Sequence, residues 1–549
     1  MKRNLLLCTA CIALAASCSK NTAIKASTGT TGTVTKSDTA SLATTYGAYA
    51  LIGIANNKAI EVSGVNTNGD KVKDSTTLQQ DEPLMTGNNA SRWQEWQFSK
   101  QTNGYFTIMN LNSGKLINAP GSQAAGVLFQ LRANGTDAQY WSVIQVGTNT
   151  YKIINKASGL AVTNHGASTT DGTTITQEAY TGGKNQQWLF TGLAADSYRD
   201  DAVVGFFQRT SGSEAFDGGA SVPLTSSLNN GKVFWQTNDV FYNQVLGNGE
   251  FVCGQIFNYH NSGLIQPASH SWDPAQTVNL ISTDGVQIFH DPIAGNLLWP
   301  GPGVELGSHI YVQNIEVPVG SLSADNQYLC DITESSGTSI AAVNNMVIPG
   351  MSGQININYS EGMVKPGDGY VYAYGTGGFI GASVFVARFP ETDPTTWTFW
   401  DGSTWAASPS TASAAVIASG PANNNTVAYV NGKYVLITMD FGFTCDVTTR
   451  NMYASISNSP TGPFTTAKTV YVLPDYKQGH APVYYNPTIH SEFDNGHNEL
   501  LVDYCVNFYS KNDGTGAVCL APCSNPDGTE DPNDYRPKGV RIPYSLIGL

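Results

Sequence analysis

Three acids sit in stretches that are otherwise uncharged and aromatic, and they are the residues through which this chain could do chemistry. Glu361 lies within Asn356 to Gly378 (NINYSEGMVKPGDGYVYAYGTGG), just ahead of the run Tyr370-Val-Tyr-Ala-Tyr374. That alternation, bounded by Gly-Asp-Gly and Gly-Thr-Gly-Gly, predicts a half-buried strand with an acid at its mouth. Asp239 lies in VFWQTNDVFYN and Glu305 in LLWPGPGVELGSHIYV. Only 13% of the residues are charged, so an acid among aromatics is less readily explained as incidental surface. Hydrolysis of a glycosidic bond needs two carboxyls in different protonation states: one donates a proton to the leaving oxygen, the other activates water or attacks carbon. Glu361 is assigned the acid role, because neighbouring carboxylates and aromatics would raise its pKa. Asp239 is assigned the base or nucleophile role, and Glu305 a tuning role. The plain alternatives are a solvated turn residue for Glu361 and a turn-capping Asp beside Asn238 for Asp239.

A second group has the chemistry of a sugar cleft, where flat rings stack on sugar faces and Asn or His bonds hydroxyls. It comprises Trp235, Tyr259 and His260 together with His480, Tyr485, Asn486 and His490, the last four within GHAPVYYNPTIH. Trp397, Trp400 and Trp405 read as packing. Other chemistries lack their signatures: there is no Gly-x-Ser-x-Gly elbow before a helix and no Gly-rich phosphate loop with Lys. The Cys519-x-x-x-Cys523 pair has no second close pair, which argues against zinc. The sequence calls for no cofactor or metal, although a structural Ca²⁺ at a central axis is compatible with it.

The elements that must position these residues are strands. The chain has 549 residues with 56 Gly and 26 Tyr, and no long amphipathic helical pattern appears. From Gly47 to Gly192 three segments align: Gly47-AYALIGIANNKAIEV, Gly104-YFTIMNLNSGKLINA and Asn149-TYKIINKASGLAVTN. Each closes on Gln-x-Trp, at Trp96, Trp141 and Trp188, spaced 45 and 47 residues apart. Three units that cannot bury a face alone predict a β-trefoil over 47–192 with these tryptophans in its core. After a polar join at 193–200, units of about 60–70 residues follow, each with alternating aromatic strands and a small-residue turn. Five such units predict an all-β C-terminal domain over 200–549, a five-bladed β-propeller whose inner strands bring distant acids to one axis. A sandwich pair or a β-helix is the competing architecture.

The ends of the chain give an address. Lys2-Arg3, an apolar Leu5 to Ala16 and Ala15-Ala16-Ser17-Cys18 resemble a bacterial lipoprotein signal. Cleavage after residue 17 would leave Cys18 lipidated as a membrane anchor, followed by a Ser/Thr-rich tether over 18–46. A surface position on the outer membrane, or a periplasmic one, follows. The net charge of −14 argues against a nucleic-acid partner, since nothing would neutralise phosphates. A monomer with a polysaccharide substrate is expected. Six cysteines would remain (Cys253, Cys330, Cys445, Cys505, Cys519, Cys523), permitting three disulfides with fifteen pairings.

The triple Gln-x-Trp segment resembles a ricin B-type lectin domain. That resemblance implies sugar contact near the residue following each second strand's turn, here Glu61, Asn118 and Thr163. Glu61 with Gln94, and the fuller third ending Asn185-Gln186-Gln187-Trp188, are the candidate positions. Glu361-Gly-Met-Val-Lys followed by Gly-Asp-Gly-Tyr-Val-Tyr is similar to the general-acid motif of glycoside hydrolase family 43. More extensively, residues 230–545 look like the propellers of domain of unknown function 4185, some of them endo-D-arabinanases of glycoside hydrolase family 183. The carrying residues are the strand ending in Asp239, Trp299-Pro-Gly-Pro-Gly-Val with His309-Ile-Tyr-Val, Val384 to Arg388 with Trp397 to Trp405, and Tyr485 to His490 with Glu499-Leu-Leu-Val-Asp-Tyr. Together they imply a glycoside hydrolase acting on a furanose-containing polysaccharide. The reading from another class is a glycan-binding protein that captures without cutting.

Overall fold

In a computed structural model, residues 42–549 are described except 66–67, 85–91, 255–256, 283–284, 294, 322, 341, 423, 445, 510, 513–516 and 519–527. The signal segment, Cys18 and most of the tether lie outside the described residues. Leu42 is buried in the first domain's core, so the folded part begins ahead of Gly47.

The N-terminal domain is a β-trefoil, and its threefold logic shows in the tryptophans. Trp96, Trp141 and Trp188 are buried, and each indole Nε1 donates to the carbonyl of the equivalent strand: Ile60 at 3.1 Å, Ile117 at 3.1 Å and Val162 at 3.0 Å. A large apolar ring with one polar handle satisfied is how Trp tolerates full burial. Around them Leu51, Ile60, Phe98, Ile108, Val143, Ile153 and Phe190 complete one core.

The C-terminal domain is a propeller of five antiparallel blades. The innermost strands are Ser213–Pro223, Asn296–Leu306, Asn358–Val364, Asn425–Val430 and Pro482–His490. They lie side by side in that order, the fifth returning to the first. A four-strand antiparallel blade finishes at the face where it began, so every innermost strand starts from one face of the disc. Glycines let these strands crowd the axis: a Cβ at Gly301 would stand 3.0 Å from Ser360 Cβ, and one at Gly362 would stand 2.4 Å from Val427 O.

Chain closure comes from sequence-distant pairing. The fifth blade takes three strands from the C-terminal end (Pro482–His490, Glu499–Tyr509, Lys538–Pro543) and its outermost strand, Tyr198–Arg199, from the segment leaving the trefoil. Arg199 is buried there against Asp475, with Nη2 at 2.7 Å from both carboxylate oxygens and donating to Tyr504 OH at 2.6 Å.

The two domains pack as one unit. Lys115 and Arg132 of the trefoil reach Asp201 at 2.9 and 2.7 Å, Arg92 bonds Asp196, and Tyr46 OH donates to Glu499 Oε1 at 2.8 Å. At Gly114, which has φ +72°, a Cβ would meet Arg199 O at 2.1 Å, so the backbones touch where the trefoil meets the closing strand.

Two expectations change. Cys330 and Cys505 are buried free thiols, so three disulfides do not form, while Cys253 is disulfide-bonded. Burial pushes both free thiols up, away from the reactive thiolate. The first blade's axial strand is Ser213–Pro223, whereas the strand carrying Asp239, Val233–Tyr242, is the second.

Candidate active site

The shared direction of the inner strands decides which residues meet. Asp217, Trp299, Glu361 and Tyr485 lie in the first part of their strands, and Asp239 lies near the end of the second strand that returns to the same face. All five therefore lie toward one face of the disc, where Tyr485 and Trp299 meet the Asp217 and Asp239 carboxylates.

Asp217 and Asp239 form a carboxylate pair. Asp217 is followed by Gly218 and Gly219, at φ +70° and +106°, where the strand bulges and its register with Val233–Tyr242 shifts. Tyr485 OH donates to Asp217 Oδ2 at 2.6 Å, and Tyr535 also hydrogen-bonds this carboxyl. Asp239 itself has φ 37°, a left-handed conformation rare for a residue with a side chain. It receives Trp299 Nε1 at 3.1 Å and lies 3.2 Å from His260 Nδ1, so donors surround it. Burial first, and then the Asp239 charge, push the Asp217 carboxyl well up.

Glu361 stands on the third blade's axial strand, at a register shift between Asn358 and Gly362. Burial pushes its pKa up to about 8, although the Thr376 side chain and the Asn425 backbone N–H act in the opposite direction. The acid is therefore mostly protonated at neutral pH. The expected cause is corrected: desolvation raises it, with no neighbouring carboxylate contributing.

Glu305 does not join this site. It sits near the far end of its strand, buried, where both oxygens receive the backbone N–H of Thr225 and Oε1 also receives that of Ser226 at 3.0 Å. Its carboxylate holds the turn that follows the first blade's axial strand. His490 ends the fifth axial strand with its side chain buried, Nδ1 2.6 Å from Ser221 Oγ and Nε2 3.3 Å from Asp503. That contact joins the fifth blade to the first, so His490 does not meet a ligand in the channel. Trp235 is fully buried among Phe206, Phe207 and Phe493, with Nε1 donating to Gln266 at 2.9 Å, and serves packing.

The other expected residues take differing places. Asn486, with φ 47°, is exposed on the axial strand. Tyr485 is buried and aims its hydroxyl at Asp217 instead of presenting a ring face. Half-buried Tyr259 packs edge-on to Tyr242 at 5.7 Å. His480 lies 2.8 Å from Asp446, a loop residue with φ 46° that also accepts Ala481 N–H at 2.9 Å. Sequence reasoning missed Asp217, Trp299 and Asp446. An acid followed by Gly-Gly within SEAFDGGASVP was the available signal for the first.

In the trefoil, Glu61 is buried and bonded to Gln79 at 2.7 Å and Gln94 at 3.0 Å, with Lys71 at 3.5 Å. Gln94 and Gln186 are buried as well, each holding its own loop: Leu84 N–H donates to Gln94 Oε1 and Thr181 N–H to Gln186 Oε1, both at 2.7 Å. Gln94 and Gln186 anchor their own loops, and Glu61 is tied to Gln94. Asn185 is half-buried and donates to Asn164 O at 3.3 Å. Among the described residues no group of three or more His, Cys, Asp or Glu is arranged to hold a metal ion.

These features define a lectin-like trefoil joined to a five-bladed propeller with a carboxylate-bearing channel. The chain belongs to the family described as Domain of unknown function (DUF5005), matched over residues 200–544. The description Ricin-type beta-trefoil lectin domain-like matches residues 39–132, 92–178 and 137–212, three overlapping spans of the repeated region. No curated protein matches the chain. Among solved structures, a putative hydrolase from Bacteroides ovatus is 19% identical, covering 63% of this chain and 90% of its own, at TM-score 0.48. The designed 3-fold symmetric protein ThreeFoil is 26% identical over 27% of this chain and 99% of its own, at TM-score 0.24. An exo-beta-1,3-galactanase from Clostridium thermocellum is 27% identical over 27% of this chain and 30% of its own, at TM-score 0.24.

Proposed function

We propose that this protein is a lipid-anchored bacterial glycoside hydrolase that cuts a furanose-containing polysaccharide, D-arabinan-like in class, in the propeller channel. The observation that carries the reading is Glu361, a carboxyl held neutral near pH 7 by burial, at the same end of the channel as the ionisable pair Asp217 and Asp239. Glu361 delivers its proton to the leaving glycosidic oxygen. Asp239, with Trp299 and His260 donating to it, activates water or attacks the anomeric carbon. Burial and the Asp239 charge raise the Asp217 carboxyl, so Asp217 holds a proton more tightly than an ordinary carboxyl. The choice of a furanose substrate rests on the motif likeness to domain of unknown function 4185. The lectin-like trefoil favours a second reading, a protein that captures glycan without cutting it.

Asp239→Asn removes the base and is expected to lower hydrolysis about 10²- to 10⁴-fold. Reducing-end release from D-arabinan, L-arabinan, arabinogalactan and xylan checks it. Release at the wild-type rate by the variant would remove Asp239 from the mechanism. Anchoring through Cys18 predicts that cells expressing the full chain incorporate radiolabelled palmitate into it and that Cys18→Ala does not. Labelling that survives the substitution would reject the anchor.

A further inference from the structure

Beside the carboxylates lies an apolar surface that the proposed chemistry does not use. Phe379 is 52% exposed, Ile380 70% and Phe443 44%, on a protein whose other large aromatics are mostly covered. The rings of Phe379, Phe441 and Phe443 form one cluster, with centroids 5.2 Å apart for Phe379 and Phe441, 6.0 Å for Phe441 and Phe443, and 6.3 Å for Phe379 and Phe443. Phe443 continues to Tyr485 at 5.0 Å, and Tyr485 holds Asp217. An aromatic path therefore runs from solvent to the carboxylate pair.

Its position follows from topology. Phe379 lies between the second and third strands of the third blade, and Phe441 and Phe443 between those of the fourth. Both loops open on the face where the axial strands begin. Their backbones are held in place. A Cβ at Gly442 would be 2.0 Å from Tyr484 O, so the loop rests directly on the fifth blade's axial strand. Asp440 accepts Asn451 N–H at 2.8 Å and Tyr453 OH at 2.9 Å, and Asp446 is held by His480 and the Ala481 N–H. On the third blade, Gly381 N–H donates to Pro421 O at 2.8 Å and Ile380 bridges to Ala422.

We infer that Phe379, Phe441 and Phe443 form a stacking subsite for the chain of a neutral polysaccharide, extending outward from the bond that is cut. The inference rests on the proposed function for its ligand class. Exposed rings on fixed backbone offer faces to the C–H surfaces of sugars without an ordering cost. The three rings form one compact triangle, tilted to one another by 37° to 75°. Asp239 and Asp446, with the net charge of −14, disfavour an anionic chain at this mouth.

The test pairs binding with turnover in the full chain. The double variant Phe379→Ala/Phe443→Ala is compared with wild type and with Phe443→Trp, using affinity electrophoresis in the four neutral polysaccharides above and hydrolysis of a short aryl arabinofuranoside. The double variant is expected to bind about tenfold more weakly, the size expected for losing two stacked rings. Phe443→Trp should keep polysaccharide binding. Unchanged binding in the double variant, or no wild-type binding to any of the four, overturns the subsite. Weakened binding in the double variant without hydrolysis by wild type supports the subsite and rejects the hydrolase reading. Hydrolysis abolished by Glu361→Gln with binding indifferent to the phenylalanines does the reverse.

Discussion

Glu361→Gln is expected to lower polysaccharide hydrolysis about 10²- to 10⁴-fold, because the amide keeps the shape of the acid and has no proton to give. The accompanying pH signature is specific. With Glu361 pushed up to about 8, wild-type turnover should fall on the alkaline side as pH rises through that value, and the residual activity of the variant should lack this limb. Stability follows the same direction of pH. A carboxyl whose folded pKa lies above its ordinary 4.5 binds its proton more tightly when folded, so its contribution is full below 4.5 and is lost as pH rises toward 8. Glu361→Gln should therefore unfold later than wild type at pH 9, by on the order of 2 kcal/mol, and similarly to wild type at pH 4. Thermal unfolding at the two pH values reads this, and equal shifts at both would mean that Glu361 is not held neutral.

The second large effect concerns ring closure. Asp475→Ala is expected to cost about 3–5 kcal/mol, the range for leaving a buried charge without its partner. Arg199 would lose both carboxylate oxygens and keep Tyr504 and Tyr471, neutral partners, and it sits on the two-residue strand that closes the fifth blade. Burial works to raise the Asp475 carboxyl, but Arg199 and then Lys538 pull it below its ordinary value. A depressed folded pKa gives stability that is present above the unfolded pKa of 3.8 and is lost as pH falls through the folded value. Guanidinium unfolding should show the variant's deficit at pH 7 and a smaller one at strongly acidic pH. A deficit below about 1 kcal/mol at pH 7 would mean that the closing strand does not depend on this pair.

What the sequence made legible follows from where apolar periodicity survives. The trefoil was readable because three Trp residues each close an equivalent repeat and donate to an equivalent carbonyl. The second and third strands of the propeller blades, such as Tyr370–Gly377 and Ser383–Pro390, read plainly as strands because they pack between blades and are buried at nearly every position. Axial strands do not. Segments like SEAFDGGASVP and NLLWPGPGVEL carry Gly and Pro where neighbouring strands crowd the axis, and they lose the alternation that marks a strand. Asp217 was hidden by that loss, and Asp239 was placed on the axis when it belongs one strand out. Glu305 and His490 were misassigned for a different reason: their residue types suit a cleft, but their depth along the strand puts them at its other end. Sequence spacing gives no such depth until the start of each axial strand is known.

The account stands most directly on one measurement, proton NMR of the anomeric region while the full chain acts on D-arabinan and the three other polysaccharides. The account predicts new reducing-end anomeric signals growing with time for wild type on a furanose-containing chain, and none above background for Glu361→Gln or Asp239→Asn. Binding of the same polysaccharide by wild type with no new anomeric signal would contradict it and make the propeller channel a site of capture.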